Sequence, residues 1–138
     1  MSGRRLLRRS DLDEDQLALV RLAYRKKFIL LAVPMGFGKT VITLTVVRQL
    51  LDEFVVRKVL IVAPKRVATD TWPDEIKAWE HTRPLSVSVI TGTPNERLSA
   101  LRTPAEIYII NRENLPWLWR TIGGLDRWPF DLLVYDEA

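Results

Sequence analysis

At 138 residues with 47% hydrophobic side chains, the chain suits one domain with a buried core and is too apolar to be disordered. It has no cysteine and a single histidine, His81, which excludes disulfides and thiolate metal sites and leaves no ligand set for a histidine-based zinc centre. Its 21 Lys and Arg against 17 Asp and Glu give a net charge of +4, a mildly basic balance that permits nucleic-acid binding without requiring it. In chain order, the opening Met1 to Arg9 is charged but lacks the long apolar stretch of a signal peptide. No apolar run approaches the roughly 20 residues that span a bilayer, so the expected location is the cytoplasm, with no membrane partner.

Ser10 and Asp13 form a capping pair for a helix over residues 11–25, with Leu12, Gln16, Leu19, Val20 and Ala23 at helical spacing. Residues 28–33 are a continuous apolar run, which suits a strand buried on both faces of a parallel sheet. A helix is expected over 39–54, with Val41, Ile42, Leu44, Val47, Leu50 and Leu51 as its apolar face. A second strand covers 58–63. Pro64 ends it, and a helix follows through Trp72, Ile76 and Trp79, in which Pro73 is tolerated only in the first turn. A third strand, 86–91, stops at Gly92, and a short helix covers 95–101. A fourth strand spans 106–110, residues 111–120 form a helix or turn disturbed by Pro116, and a fifth strand spans 131–135. Strands alternating with helices predict an α/β domain over residues 1–138, its mostly parallel sheet flanked by helices through right-handed crossovers.

Two stretches carry chemistry. Met35-Gly36-Phe37-Gly38-Lys39-Thr40 lies between a predicted strand and a predicted helix, the setting of a phosphate-binding loop. Gly36 and Gly38 let backbone N–H groups curl toward an anion, and the helix N-terminus adds its positive dipole end. Lys39 can reach the β- and γ-phosphates, and Thr40 can offer its hydroxyl to Mg²⁺. The full pattern would place glycine at position 33, where this chain has Val33. The second stretch is Asp136-Glu137, adjacent carboxylates at the end of the fifth strand. Asp136 can hold Mg²⁺, and Glu137 can orient or deprotonate an attacking water. Ligands of open α/β sheets sit beyond the carboxyl ends of the strands, where both stretches fall. The catalytic candidates are therefore Lys39, Asp136 and Glu137, and the metal candidates Thr40 and Asp136.

With these motifs in this order, the chain resembles the first RecA-like motor domain of superfamily-two helicases and translocases. The closer resemblance is to the Swi/Snf-type branch, which includes compact phage-borne members. That branch accepts a first motif reading Met-Gly-x-Gly-Lys-Thr, as at Met35 to Thr40. Residues 60–64 with Trp72 and Trp79 look like motif Ia and its helix, residues 91–93 like the Ib region, and residues 109–115 like the segment before motif II. Asp136-Glu137-Ala138 looks like the opening of a DEAD or DEAH box.

The resemblance implies a P-loop nucleotide-binding fold truncated after the motif II strand, with ATP and Mg²⁺ as ligands. It implies a role for Gln16 in recognising adenine, against the alternative of an exposed helical glutamine. It also implies a nucleic-acid track, DNA ahead of RNA, along Pro64, Lys65, Arg66, Thr91 and Gly92, against a plain solvated charge pair at Lys65 and Arg66. The five tryptophans are read first as core or interface cover, with base stacking as the alternative. Family motors close two such domains on ATP, so this chain is expected to be the ATP-binding half of a DNA-dependent ATPase with little turnover alone. The alternative is a non-catalytic module that binds nucleotide, nucleic acid or a partner. A small P-loop kinase fits poorly, given Val33 and the Ala63-Pro64 and Trp72 segment. An unpaired sheet edge would favour self-association.

Overall fold

A computed structural model describes residues 29–33, 39–123 and 127–137 of the chain. The predicted helix over 11–25 and residue Phe28 lie outside these. Five strands, β1 (Ile29–Val33), β2 (Val59–Ala63), β3 (Val87–Ile90), β4 (Ile107–Asn111) and β5 (Leu132–Asp136), form a sheet in the order β1-β5-β2-β4-β3. Every neighbouring pair is parallel. Helices α1 (Lys39–Asp52), α2 (Trp72–Ala78), α3 (Pro94–Arg102) and α4 (Leu115–Ile122) connect them.

The strand order accounts for the layering. Chain passage from β1 to β2 and from β2 to β3 moves one way across the sheet; passage from β3 to β4 and from β4 to β5 moves back. Crossovers of one hand must then lie on opposite faces in the two halves. The core divides accordingly. Val59, Ile61 and Ala63 of β2 pack with Leu44, Val47, Trp72 and Ile76 of α1 and α2. Leu60 and Val62 point the other way, with Leu118 of α4 and the partly buried Ala100 and Leu101 of α3. All residues of β2, β4 and β5 are buried, because each has an apolar layer on both faces.

The first strand departs from expectation. β1 pairs only with β5 among the described residues, Ile29 is 42% exposed, and Val33 alone is buried. Among the described residues it is an edge strand, and a continuous apolar run does not by itself distinguish edge from centre. In α1, Ile42 lies on the far side of the helix from Leu44 and is 60% exposed. Two residues at about 100° each turn it roughly 200° away from the buried stripe.

The segment after β2 also differs. Residues 65–66 are already helical, and a π turn, Val67–Thr71, leads without a break into α2. The Trp72 amide donates to the Val67 carbonyl, five residues back. In a regular α-helix Pro73 would press on the carbonyl four residues before it. The wider turn just ahead of Pro73 removes that conflict and leaves the proline in the first turn of α2. Pro116 likewise starts α4 rather than disturbing it, after a 3-10 turn over Arg112–Asn114.

β4 and β5 each run one residue further than expected, which brings Asn111 and Asp136 into the sheet. Asp131 is left to accept from the Arg57 and Lys58 amides at 2.9 and 2.8 Å, tying the start of β5 to the start of β2.

β3 is shorter than the expected 86–91 and stops at Ile90; Gly92, two residues on, adopts φ +91°. A Cβ there would meet Glu96 Oε1 at 2.8 Å. That carboxylate is occupied in a capping box: Thr93 N donates to Glu96 Oε1 at 3.0 Å, and Glu96 N donates to Thr93 Oγ1 at 3.2 Å. The Thr93 amide first, and its hydroxyl second, hold the Glu96 carboxyl below its ordinary range.

Candidate nucleotide site

The carboxyl ends of β1 and β5 lie side by side. Val33 pairs in register with Asp136, and Glu137 N donates to Val33 O at 3.0 Å. β5 therefore ends at Asp136 at the level where β1 ends, and Glu137 follows it out of the strand. The 14-residue helix α1 opens with Lys39 and Thr40, has no acidic residue in its first turn, and keeps Thr40 half-buried. A helix N-terminus carries a positive dipole end, and no acidic side chain of this first turn offsets it. Gln16, Met35, Gly36, Phe37 and Gly38 lie outside the described residues, as does the side chain of Lys39.

Asp136 is 5% exposed and is held from two sides. The indole of Trp72, itself fully buried, donates from Nε1 to Asp136 Oδ2 at 2.8 Å. The guanidinium of Arg112 donates to the Asp136 backbone carbonyl and lies over the Tyr135 ring, 5.1 Å from its centroid. Arg112 follows directly after β4, in the 3-10 turn. Asn111, at the end of β4, donates to Glu113 at 2.7 Å and accepts from Asn114 at 2.8 Å. Asn114 in turn accepts from Arg97 of α3 at 2.6 Å. A string of polar contacts therefore runs along the carboxyl edge from α3 to the end of β4, next to the residue that grips Asp136.

Neither Trp72 nor Arg112 is a site candidate on sequence grounds. Trp72 reads as core, which it is, and nothing in the spacing links it to a residue 64 positions on. Of the other tryptophans, Trp128 is buried against Phe130, Trp117 lies under the Arg97 guanidinium at 4.7 Å, and Trp79 and Trp119 are 42% and 36% exposed.

The nucleic-acid candidates occupy the same sheet edge. Pro64 follows β2 and is half-buried, with Lys65 and Arg66 exposed after it; Thr91, half-buried, and Gly92, exposed, follow β3. β4 separates the two segments, so they sit apart from each other along the edge, on the side away from β1.

Among the described residues no three His, Cys, Asp or Glu side chains gather to hold a metal unaided. The donors at hand are oxygens, the Thr40 hydroxyl and the Asp136 carboxylate. Such a set fits Mg²⁺ shared with phosphate and water, since Mg²⁺ is commonly held by one or two protein groups plus a substrate.

An all-parallel sheet covered by helices on both faces, with the end of β1 in register with a strand that ends at Asp136, is a RecA-like α/β fold. The SNF2-related domain model matches residues 17–138. The chain belongs to the SNF2-related domain family, whose members are helicase-like motor ATPases. It is also 42% identical over 106 residues to protein p41 of Acyrthosiphon pisum secondary endosymbiont phage 1, an alignment covering 75% of this chain. The chain spans 23% of the length of that relative. No helix among the described residues is long and apolar enough to cross a membrane.

Proposed function

We propose that this chain is the ATP-binding half of a DNA-dependent ATPase of the helicase or duplex-translocase type. The observation that supports this reading is the register of Val33 with Asp136, which sets the end of β5 level with the end of β1, from which the chain leads on to Lys39. In this reading Met35 to Lys39 cradle the triphosphate, Lys39 meets its β- and γ-oxygens, and Gln16 recognises the adenine. Thr40 and Asp136 hold Mg²⁺, which supplies charge neutralisation at the phosphates when bound. Glu137, one residue beyond the buried Asp136, orients the attacking water and accepts its proton. Pro64, Lys65, Arg66, Thr91 and Gly92 follow the backbone of a nucleic acid, DNA ahead of RNA, with contacts that position without reading sequence. Turnover requires arginines from a second motor domain, worth about 10³–10⁵ in rate.

Two experiments bear on this. A longer protein that joins this chain to a second motor domain is expected to hydrolyse ATP faster on adding duplex DNA, while this chain alone turns over near background. Equal turnover by the two would contradict the half-site reading. Changing Lys65 and Arg66 together to Ala is expected to weaken duplex binding by the longer protein regardless of sequence. It should lower the slope of log affinity against log salt by up to about 2, at roughly 0.9 per phosphate contact. An unchanged slope removes these two residues from the track.

A further inference from the structure

A buried indole usually finds a hydrogen-bond partner, but it seldom needs a carboxylate. Trp72 is fully buried, and its N–H ends on Asp136 Oδ2 at 2.8 Å. A donor to an ionised oxygen makes a charge-assisted bond, which fixes the plane of the carboxylate as well as its distance. Arg112 grips the main chain of the same residue. Asp136 is thus held independently at its carbonyl and at its side chain, more than a strand end needs to stay in a sheet.

The π turn determines which residue reaches β5. It inserts one residue into the helical run, and one residue is about 100° of rotation. With a regular turn in its place, the face now presented by Trp72 would pass to a neighbour. The same run starts at residues 65–66, the exposed cations that follow β2, and Thr69 Oγ1 donates back to the Lys65 carbonyl at 3.0 Å. One unbroken helical stretch therefore joins the Lys65-Arg66 end to the indole on Asp136. Single π turns inside α-helices are rare and occur frequently at functional sites.

We infer that Trp72 is a positioning residue: it sets the Asp136 carboxylate for a Mg²⁺-bound nucleotide and ties that setting to occupancy of the Lys65-Arg66 segment by a phosphate backbone. The inference rests on the nucleotide and nucleic-acid roles proposed above. Loss of a partner to a metal-binding carboxylate typically lowers metal affinity about 10- to 100-fold.

The test is Trp72→Phe, which keeps an aromatic ring and removes the N–H. ATP affinity is measured in EDTA, with Mg²⁺, and with Mg²⁺ plus a short DNA duplex. Wild-type protein is expected to gain affinity from Mg²⁺ and again from the duplex. The variant is expected to match wild type in EDTA, lose about tenfold of the Mg²⁺-dependent gain, and show no response to the duplex. An unchanged Mg²⁺-dependent gain in folded Trp72→Phe overturns the positioning role, and a duplex response of wild-type size in the variant overturns the link to Lys65 and Arg66. Should the variant fail to fold, the wild-type Trp72 indole N–H resonance decides. It is expected to shift with Mg²⁺-ATP and stay in place with ATP in EDTA; an indifferent resonance rejects the inference. Lys39→Ala separates this from failure of the site itself. Lys39-dependent ATP binding with no effect at Trp72 defeats only the inference, whereas binding indifferent to Lys39 defeats the nucleotide site and the inference with it.

Discussion

Glu137→Gln is expected to leave Mg²⁺-ATP affinity within about twofold while lowering turnover by about 10²–10⁴-fold, the usual contribution of a positioned general base. The measurement is steady-state ATP hydrolysis with duplex DNA, made on a protein that joins this chain to a second motor domain, beside an equilibrium binding titration. The substitution keeps side-chain length and one carbonyl oxygen and removes the ability to accept a proton. It leaves the main chain as it is: Glu137 N remains bonded to Val33 O and Asp136 remains in β5. A loss confined to turnover would assign Glu137 to the chemical step. A parallel loss of binding and turnover would instead place the residue in holding the loop or the nucleotide.

Trp72→Ala is expected to be the most costly of the single truncations discussed here, by about 3–5 kcal/mol. The side chain is fully buried in the layer shared by α1, α2 and β2, so its removal opens a cavity in a core made mostly of Val, Leu and Ile. Asp136 Oδ2 also loses its indole donor at 5% exposure, and a buried carboxylate deprived of a donor adds a further penalty. Against a typical domain stability of about 5–15 kcal/mol, this is a large fraction of the whole. Urea unfolding measures it, with Trp79→Ala as the comparison. Trp79 is 42% exposed and its indole donates to the nearby Glu75, so its truncation should cost about 1 kcal/mol or less. Equal costs at the two positions would mean that Trp72 is not the core anchor described.

The alternation of strands and helices is legible in the sequence because β2, β4 and β5 are buried on both faces and so appear as unbroken apolar runs. The same signal misleads at β1, where an equally apolar run lies at an edge with Ile29 half in solvent. It misleads again at Ile42, where counting apolar residues along a helix overlooks that two steps reverse the face. Thr93-Pro94-Asn95-Glu96 is a capping box with proline in the first turn, and it starts α3 one residue before the expected 95. The one-residue shift of β5, from the expected 131–135 to Leu132–Asp136, had a larger effect, since it makes Asp136 the buried last residue of the strand.

The candidate site divides in the same way. That two motifs exist is a matter of residue type and spacing. That the ends of β1 and β5 are neighbours is a matter of strand order and register, which pairs Val33 with Asp136 and puts no strand between them among the described residues. The groups that hold Asp136 come from a helix after β2 and a turn after β4, and no local pattern links either to the fifth strand. Sequence reading finds groups that would meet a ligand; the groups that orient them depend on a fold that has to be seen.

The most direct test of the nucleotide site is calorimetric titration of Mg²⁺-ATP into this chain and into its Lys39→Ala variant, with both shown to be folded by thermal melting. The account predicts binding by the wild-type chain and a loss of about a hundredfold or more in the variant, in line with removal of a charge-assisted phosphate contact. Folded wild-type protein that takes up no Mg²⁺-ATP, or a Lys39→Ala variant that binds as well as wild type, would contradict it.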